Sequence, residues 1–176
     1  MRLYPALLLL AIPTAAEAEV VTATPGGFEV KQVVTADASL QQTWEALKAP
    51  ARWWSKDHTY SDNSANLYLD VQATGCFCER LADKGSVEHM RIVYIQPPRM
   101  IRMTGALGPL QAEGVNGTLA IVLTPEGAKA TRVTLTYVVG GYIRSGGEAL
   151  APKVDEVLAQ QMLGLKSAAE TPLPPK

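Results

Sequence analysis

"GTLAIVLTPEGAKATRVTLTYVVGGY", Gly117 to Tyr142, decides the fold. Val133, Leu135, Tyr137 and Val139 alternate with more polar neighbours, the period of a strand with one buried face. Pro125-Glu126-Gly127 supplies the turn that folds this strand back on "GTLAIVL". Working upstream, "RMIRMTGAL" and "SVEHMRIVYIQP" read as two strands joined at Pro97-Pro98, and "CFCERL" and "LYLDV" as short strands flanking Gly75. "GFEVKQVVTA", residues 27–36, alternates Phe28, Val30, Gln32 and Val34 against Glu29, Lys31, Val33 and Thr35.

Between that strand and the next, Ser39 caps a helix, "SLQQTWEALKAP", whose Leu40, Trp44 and Leu47 share a stripe. Pro50 ends it. "PARWW" reads as a further helical turn, followed by a polar loop, "SKDHTYSDNSAN". Downstream of the hairpin, Gly146-Gly147 precede a long amphipathic helix from about Glu148 to Ala168, with Leu150, Val154, Val157, Leu158, Met162 and Leu165 at helical spacing. The expectation is an α+β fold: a curved antiparallel sheet of about six or seven strands wrapped around the long C-terminal helix, with one or two short helices after the first strand. A sheet of that kind leaves a cleft beside its covering helix, where ligand pockets form.

Residues 1–18, "MRLYPALLLLAIPTAAEA", carry a positive start at Arg2, an apolar run from Leu3 to Ile12 and a small-x-small site at Ala16-Glu17-Ala18. They read as a signal peptide cleaved between Ala18 and Glu19, giving a periplasmic or secreted protein. The apolar run is too short to span a bilayer. An N-terminal arm at 19–26, a single domain at 27–168 and a disordered tail at 169–176 complete the division. With 16 basic and 17 acidic residues and no basic run, the chain offers nucleic acid no electrostatic footprint. No Ser-His-Asp order, HExxH, phosphate loop or dinucleotide fingerprint occurs, and neither a cofactor nor a metal is expected. A monomer or homodimer is the expected state.

"TWEALKAPARWW", "GCFCER", "YIQPPRMIRMTGALGPL", "TRVTLTYVVGGY" and "LAPKVDEVLAQQMLGLK", in that order, resemble the START-like (SRPBCC, helix-grip) superfamily. Within it the chain looks closest to the small polyketide cyclase and Hsp90-ATPase-activator-homologue domains. The resemblance covers about Gly27 to Leu165. It implies a hydrophobic small molecule, lipid or polyketide-like, in the cleft. It also admits an enzyme of the cyclase or dehydratase kind. A co-chaperone role fits poorly with an export signal.

A turn near Asp83 to Ser86 pairs positions whose numbers sum to about 169, placing Phe77 opposite Ile92 and Glu79 opposite Met90. Phe77, Glu79, Met90, Ile92 and Tyr94 then face inward, and Cys76, Cys78, Arg80, His89 and Arg91 outward. Glu79 becomes the carboxylate of an apolar concavity, with its pKa raised by desolvation, and the candidate general base. Trp53, Trp54, His58 and Tyr60 stand near the mouth of the cleft, and Tyr137 on its inner face, needing a partner for its hydroxyl. These residues, with Phe77, Glu79, Met90, Ile92 and Tyr94, are the candidate ligand contacts. Arg102 and Arg132 read as outer-face charges, and Asp155 as an anchor for the Gly140-Gly141-Tyr142 turn.

Cys76 and Cys78 are the only cysteines. In an extended strand their Cβ atoms stand roughly 6.5 Å apart, against the ~3.8 Å of a disulfide. Free thiols on the back of the sheet are therefore expected, with an intrachain bridge, a bridge to a second molecule and a metal site as the alternatives.

Overall fold

The computed structural model describes residues 17–171, and the expected signal segment lies outside them except for its last two positions. Among the described residues there are eight strands: β1 (Glu17–Thr24), β2 (Gly27–Ala36), β3 (Leu67–Leu69), β4 (Cys76–Arg80), β5 (Ser86–Gln96), β6 (Met100–Gly105), β7 (Gly114–Pro125) and β8 (Thr131–Tyr142). Two α-helices accompany them, α1 (Leu40–Leu47) and α2 (Gly147–Glu170). One antiparallel sheet runs in the order β1-β2-β8-β7-β6-β5-β4-β3. The eighth strand relative to the expected six or seven is β1, which carries residues 19–24 into the edge of the sheet beside β2. The expected cleavage point falls inside this strand.

The hairpin that decided the sequence reading is β7–β8, paired without a bulge from Gly114↔Tyr142 to Pro125↔Thr131. Alternation along β8 buries Val133, Leu135, Tyr137 and Val139 on the face that α2 covers. From α2, Leu158, Met162 and Leu165 complete that core. α1 starts where the sequence says: Ser39 Oγ accepts from the Gln42 N–H at 3.3 Å and Gln42 Oε1 accepts from the Ser39 N–H at 2.9 Å, a capping box. Trp44 and Leu47 are buried, and a 3-10 turn at Pro50–Arg52 follows.

The chain leaving that turn is clamped against α2. A Cβ on Gly164 would stand 2.2 Å from the Trp53 carbonyl oxygen, so only glycine lets the helix approach this closely. Gln161, fully buried in the same helix, accepts from the Ser55 N–H at 2.7 Å and donates to the Val157 carbonyl at 3.2 Å. At the other end of the helix's contact with the sheet, Asp155 accepts from the buried Gln32 of β2 at 2.5 Å. Asp155 thus anchors the helix to β2 and not to the Gly140-Gly141-Tyr142 turn that the sequence suggested.

Two bulges correct the expected register. β5 pairs Phe77↔Met90 but Cys78↔Glu88, so His89 is an extra residue. His89 and Met90 consequently both point inward, where alternation sent His89 out. A second shift at Val93 turns Tyr94 to the outer face, under the Arg102 guanidinium 5.6 Å from its ring. Glu79 lies opposite Val87, not Met90. Counting in twos cannot register an inserted residue, which is why both shifts escaped it.

The cysteines also differ from expectation. Cys76 and Cys78 form a disulfide with Cα atoms 5.4 Å apart, inside the usual range. Strand alternation takes the chain as fully extended, whereas β4 is contracted between Cys76 and Cys78, whose Cα atoms are closer than the roughly 6.5 Å of two extended residues. Their face is the outer one, as expected: Cys78 pairs with Tyr68, whose ring lies 4.4 Å beneath the Arg80 guanidinium.

Gly164→Ala should lower the unfolding free energy by about 1–3 kcal/mol, because the Trp53 backbone must move to admit a methyl group. Urea titration followed by tryptophan emission measures it. An unchanged midpoint and slope would show that the helix and Trp53 are not in this contact.

Candidate functional site

The Glu79 side chain is fully buried. Its oxygens accept from the Tyr60 N–H at 3.1 Å, the Ser61 N–H at 2.6 Å and His89 Nε2 at 3.0 Å. Burial pushes this carboxyl up, but the hydrogen bonds from Ser61, Tyr60 and His89 outweigh it and hold the group below the usual glutamate range. The raised pKa expected from the sequence is thereby overturned. An apolar concavity was anticipated, whereas the carboxylate has three donors.

His89, supplied by the bulge, is 5% exposed. Its ring packs between Tyr60, with centroids 5.9 Å apart, and Phe77, at 5.0 Å. Burial depresses its pKa and the Glu79 hydrogen bond and charge raise it, with the net shift downward. A neutral imidazole against an ionised carboxylate is the resulting pair.

These contacts fix one wall of a cleft of about 690 Å³. Trp54, Thr59, Tyr60 and His89 form that wall, Leu107 and Leu110 a second, and Leu150, Val154, Val157 and Leu158 of α2 the third. Asp57, His58, Glu113 and Lys153 add charge or polarity to the lining. The segment 54–61 is tied down along its length. Trp54 Nε1 donates to the His58 carbonyl at 2.9 Å, His58 Nε2 lies 3.0 Å from Gln160 Oε1, and the Tyr60 hydroxyl donates to the Gly108 carbonyl at 2.9 Å. The last of these joins the loop to the 3-10 turn Gly108–Ala112 across the cleft.

Of the residues singled out from the sequence, Trp54, His58 and Tyr60 line this cleft. Trp53 and Phe77, with Trp54 and Leu107, line instead a small apolar void of about 30 Å³ behind it. There the Trp53 Nε1 is buried without an acceptor. Glu79, Met90, Ile92 and Tyr137 are buried side chains that line neither cavity, and Tyr94 is on the opposite face of the sheet. The Tyr137 hydroxyl has the polar partners it needs, donating to the Gly105 carbonyl and accepting from the Leu107 N–H, both at 3.2 Å. Burial raises its pKa to about 12. Sequence reasoning missed His89, the apolar pair Leu107 and Leu110, and the use of Val154, Val157 and Leu158 as cleft lining. "GALGPL" carries no periodic signal for these leucines, because the strand pattern ends in it and Gly108 and Pro109 separate Leu107 from Leu110.

Among the described residues no group of three or more His, Cys, Asp or Glu is placed to hold a metal ion, and no helix is long and apolar enough to cross a membrane.

No protein-family model and no curated protein matches the sequence. Solved structures do share the fold. CalU16 from Micromonospora echinospora superposes with a TM-score of 0.53 at 13% identity, over 89% of this chain and 92% of that one. EF2215 from Enterococcus faecalis, a conserved protein of unknown function, gives 0.60 at 12% identity, over 89% and 77%. Mll3558 from Rhizobium loti gives 0.59 at 19%, over 80% and 95%. At these identities the likeness establishes the fold, an antiparallel sheet with a long C-terminal helix, which is compatible with the START-like resemblance.

The Glu79–His89 pair makes the fold acid-sensitive. Both groups have folded pKa values below their unfolded ones, so each contributes stability at high pH that is lost as pH falls. His89 acts first, because below about pH 6.5 the unfolded chain takes up a proton that the folded imidazole resists. Unfolding free energy should therefore decline between about pH 7 and about pH 5, and His89→Gln should flatten that decline. An equally steep decline in the variant would assign the acid sensitivity to other groups.

Proposed function

We propose that this chain is an exported binding protein that holds a hydrophobic small molecule, lipid-like or polyketide-like, in the cleft between α2, the 107–110 segment and the 54–61 loop. The observation that carries the reading is the cleft itself. Its volume of about 690 Å³ falls within the roughly 300–1,000 Å³ of small-molecule sites. Its walls are chiefly leucine, valine and aromatic side chains, with a few polar groups among them, the pattern that supplies affinity by burial and orientation by hydrogen bonds. Export rests on the character of residues 1–18, and the Cys76–Cys78 bridge fits an oxidising compartment.

The cyclase or dehydratase reading with Glu79 as general base draws less support. Both carboxylate oxygens are already engaged, the pKa is lowered, and the group is not part of the cleft lining. A general base must reach the proton it removes.

Protein purified without detergent, then denatured and extracted, should yield one reproducible apolar mass by mass spectrometry. Val154→Trp, which fills the cleft from α2, should release protein that is folded and empty. An extract without any small molecule, together with no uptake of an apolar fluorophore by the native protein, would contradict the proposal.

A further inference from the structure

His89 is the buried histidine of the cleft, 5% exposed and held at one ring nitrogen by a carboxylate, whereas His58 is exposed and meets Gln160. Nε2 is 3.0 Å from Glu79 Oε2, and an ionised carboxylate only accepts, so Nε2 carries the proton. The second nitrogen, Nδ1, is then a bare lone pair. It makes no hydrogen bond within the described residues. Among those residues the only buried side-chain nitrogen or oxygen lacking a partner is the Trp53 Nε1, so Nδ1 is not sealed in the interior. His89 is otherwise 5% exposed and lines the cleft, which leaves the cleft as the place where Nδ1 meets its surroundings. The ring is held in this orientation by the Glu79 hydrogen bond at Nε2 and by packing against the Tyr60 and Phe77 rings.

We propose that His89 Nδ1 is a built hydrogen-bond acceptor at the inner wall of the cleft, and that it selects apolar ligands bearing a hydroxyl group, phenolic or alcoholic. Glu79 is a positioning residue in this scheme: it fixes the tautomer and the ring orientation and strengthens Nδ1 as an acceptor. The other donors of that wall are committed within the protein: the Tyr60 hydroxyl to the Gly108 carbonyl, the Thr59 hydroxyl to the Lys56 carbonyl and the Trp54 indole N–H to the His58 carbonyl. An apolar body can lie along Leu107, Leu110, Val154 and Val157 while its hydroxyl points at the imidazole. A ligand of the same shape without the donor leaves Nδ1 dry and unpaired, which is the source of the discrimination. The inference rests on the cleft being a ligand site, as proposed above.

The test uses β-naphthol and its methyl ether as probes, alongside an anilinonaphthalene sulfonate fluorophore that needs only an apolar cleft. At neutral pH the wild-type chain should bind the naphthol roughly tenfold more tightly than the ether. In His89→Phe, which keeps an aromatic ring between Tyr60 and Phe77, the preference should fall to about one while the ether still binds. In the wild type, the nitrogen-15 resonance of His89 Nδ1 should move on adding naphthol and stay in place on adding ether. That measurement decides the matter if the variant does not fold. Equal affinities in the wild type, a preference that survives His89→Phe, or a still Nδ1 resonance at naphthol saturation would overturn the inference. So would failure of both naphthalenes to bind while the fluorophore does, which leaves the cleft reading standing. Failure of all three probes would sink both.

Discussion

The loop wall of the cleft depends on one buried carboxylate. Glu79 sits in a strand with no exposure to solvent, and an ionised group there is tolerated only because donors from two other segments converge on it. Those donors are two consecutive backbone amides of the 54–61 loop and the ring of His89 from β5. The carboxylate therefore joins a strand to a loop and to its neighbouring strand in one short-range network. Remove it, and the loop that forms one wall of the cleft loses its attachment to the sheet, while His89 loses the partner that sets its tautomer.

The opposite wall is held by a different device. α2 is drawn against the loop's beginning by the missing side chain of Gly164 and by the buried amide of Gln161. It is drawn against β2 by the Gln32–Asp155 pair. Between these fixed walls the sheet and helix leave an open space lined by apolar side chains, with Tyr60 bridging to Gly108 near the loop's end. The architecture thus resembles a clamp with both jaws pinned, so the cavity is pre-formed and a ligand need not order its walls on entry.

The fold was largely legible in the sequence. The β7–β8 hairpin, the Ser39 cap, the break at Pro50 and the long α2 all follow from periodicity and from residues with fixed backbone preferences. The site was legible only where it coincides with polarity or aromaticity, at Trp54, His58 and Tyr60. His89 was hidden by a bulge, because a single inserted residue reverses which neighbours face inward. The same bulge sends Glu79 to a histidine and not to apolar neighbours, so its pKa moves the other way from the one burial alone suggests. The disulfide escaped because strand alternation takes the chain as fully extended, and β4 is not. Leu107 and Leu110 lie in a segment without periodicity, where nothing local announces a cavity wall.

Native-state hydrogen exchange at the Tyr60 and Ser61 amides tests the central claim, that the Glu79 carboxylate holds the cleft wall. Both amides lie in an irregular loop and make no backbone ladder, so their protection reports the carboxylate alone. Protection comparable with that of β4 amides in the wild type, lost at these two positions in Glu79→Gln while β7 and β8 stay protected, is the expected result. Exchange at Tyr60 and Ser61 as fast as in an exposed loop of the wild-type protein would contradict the account.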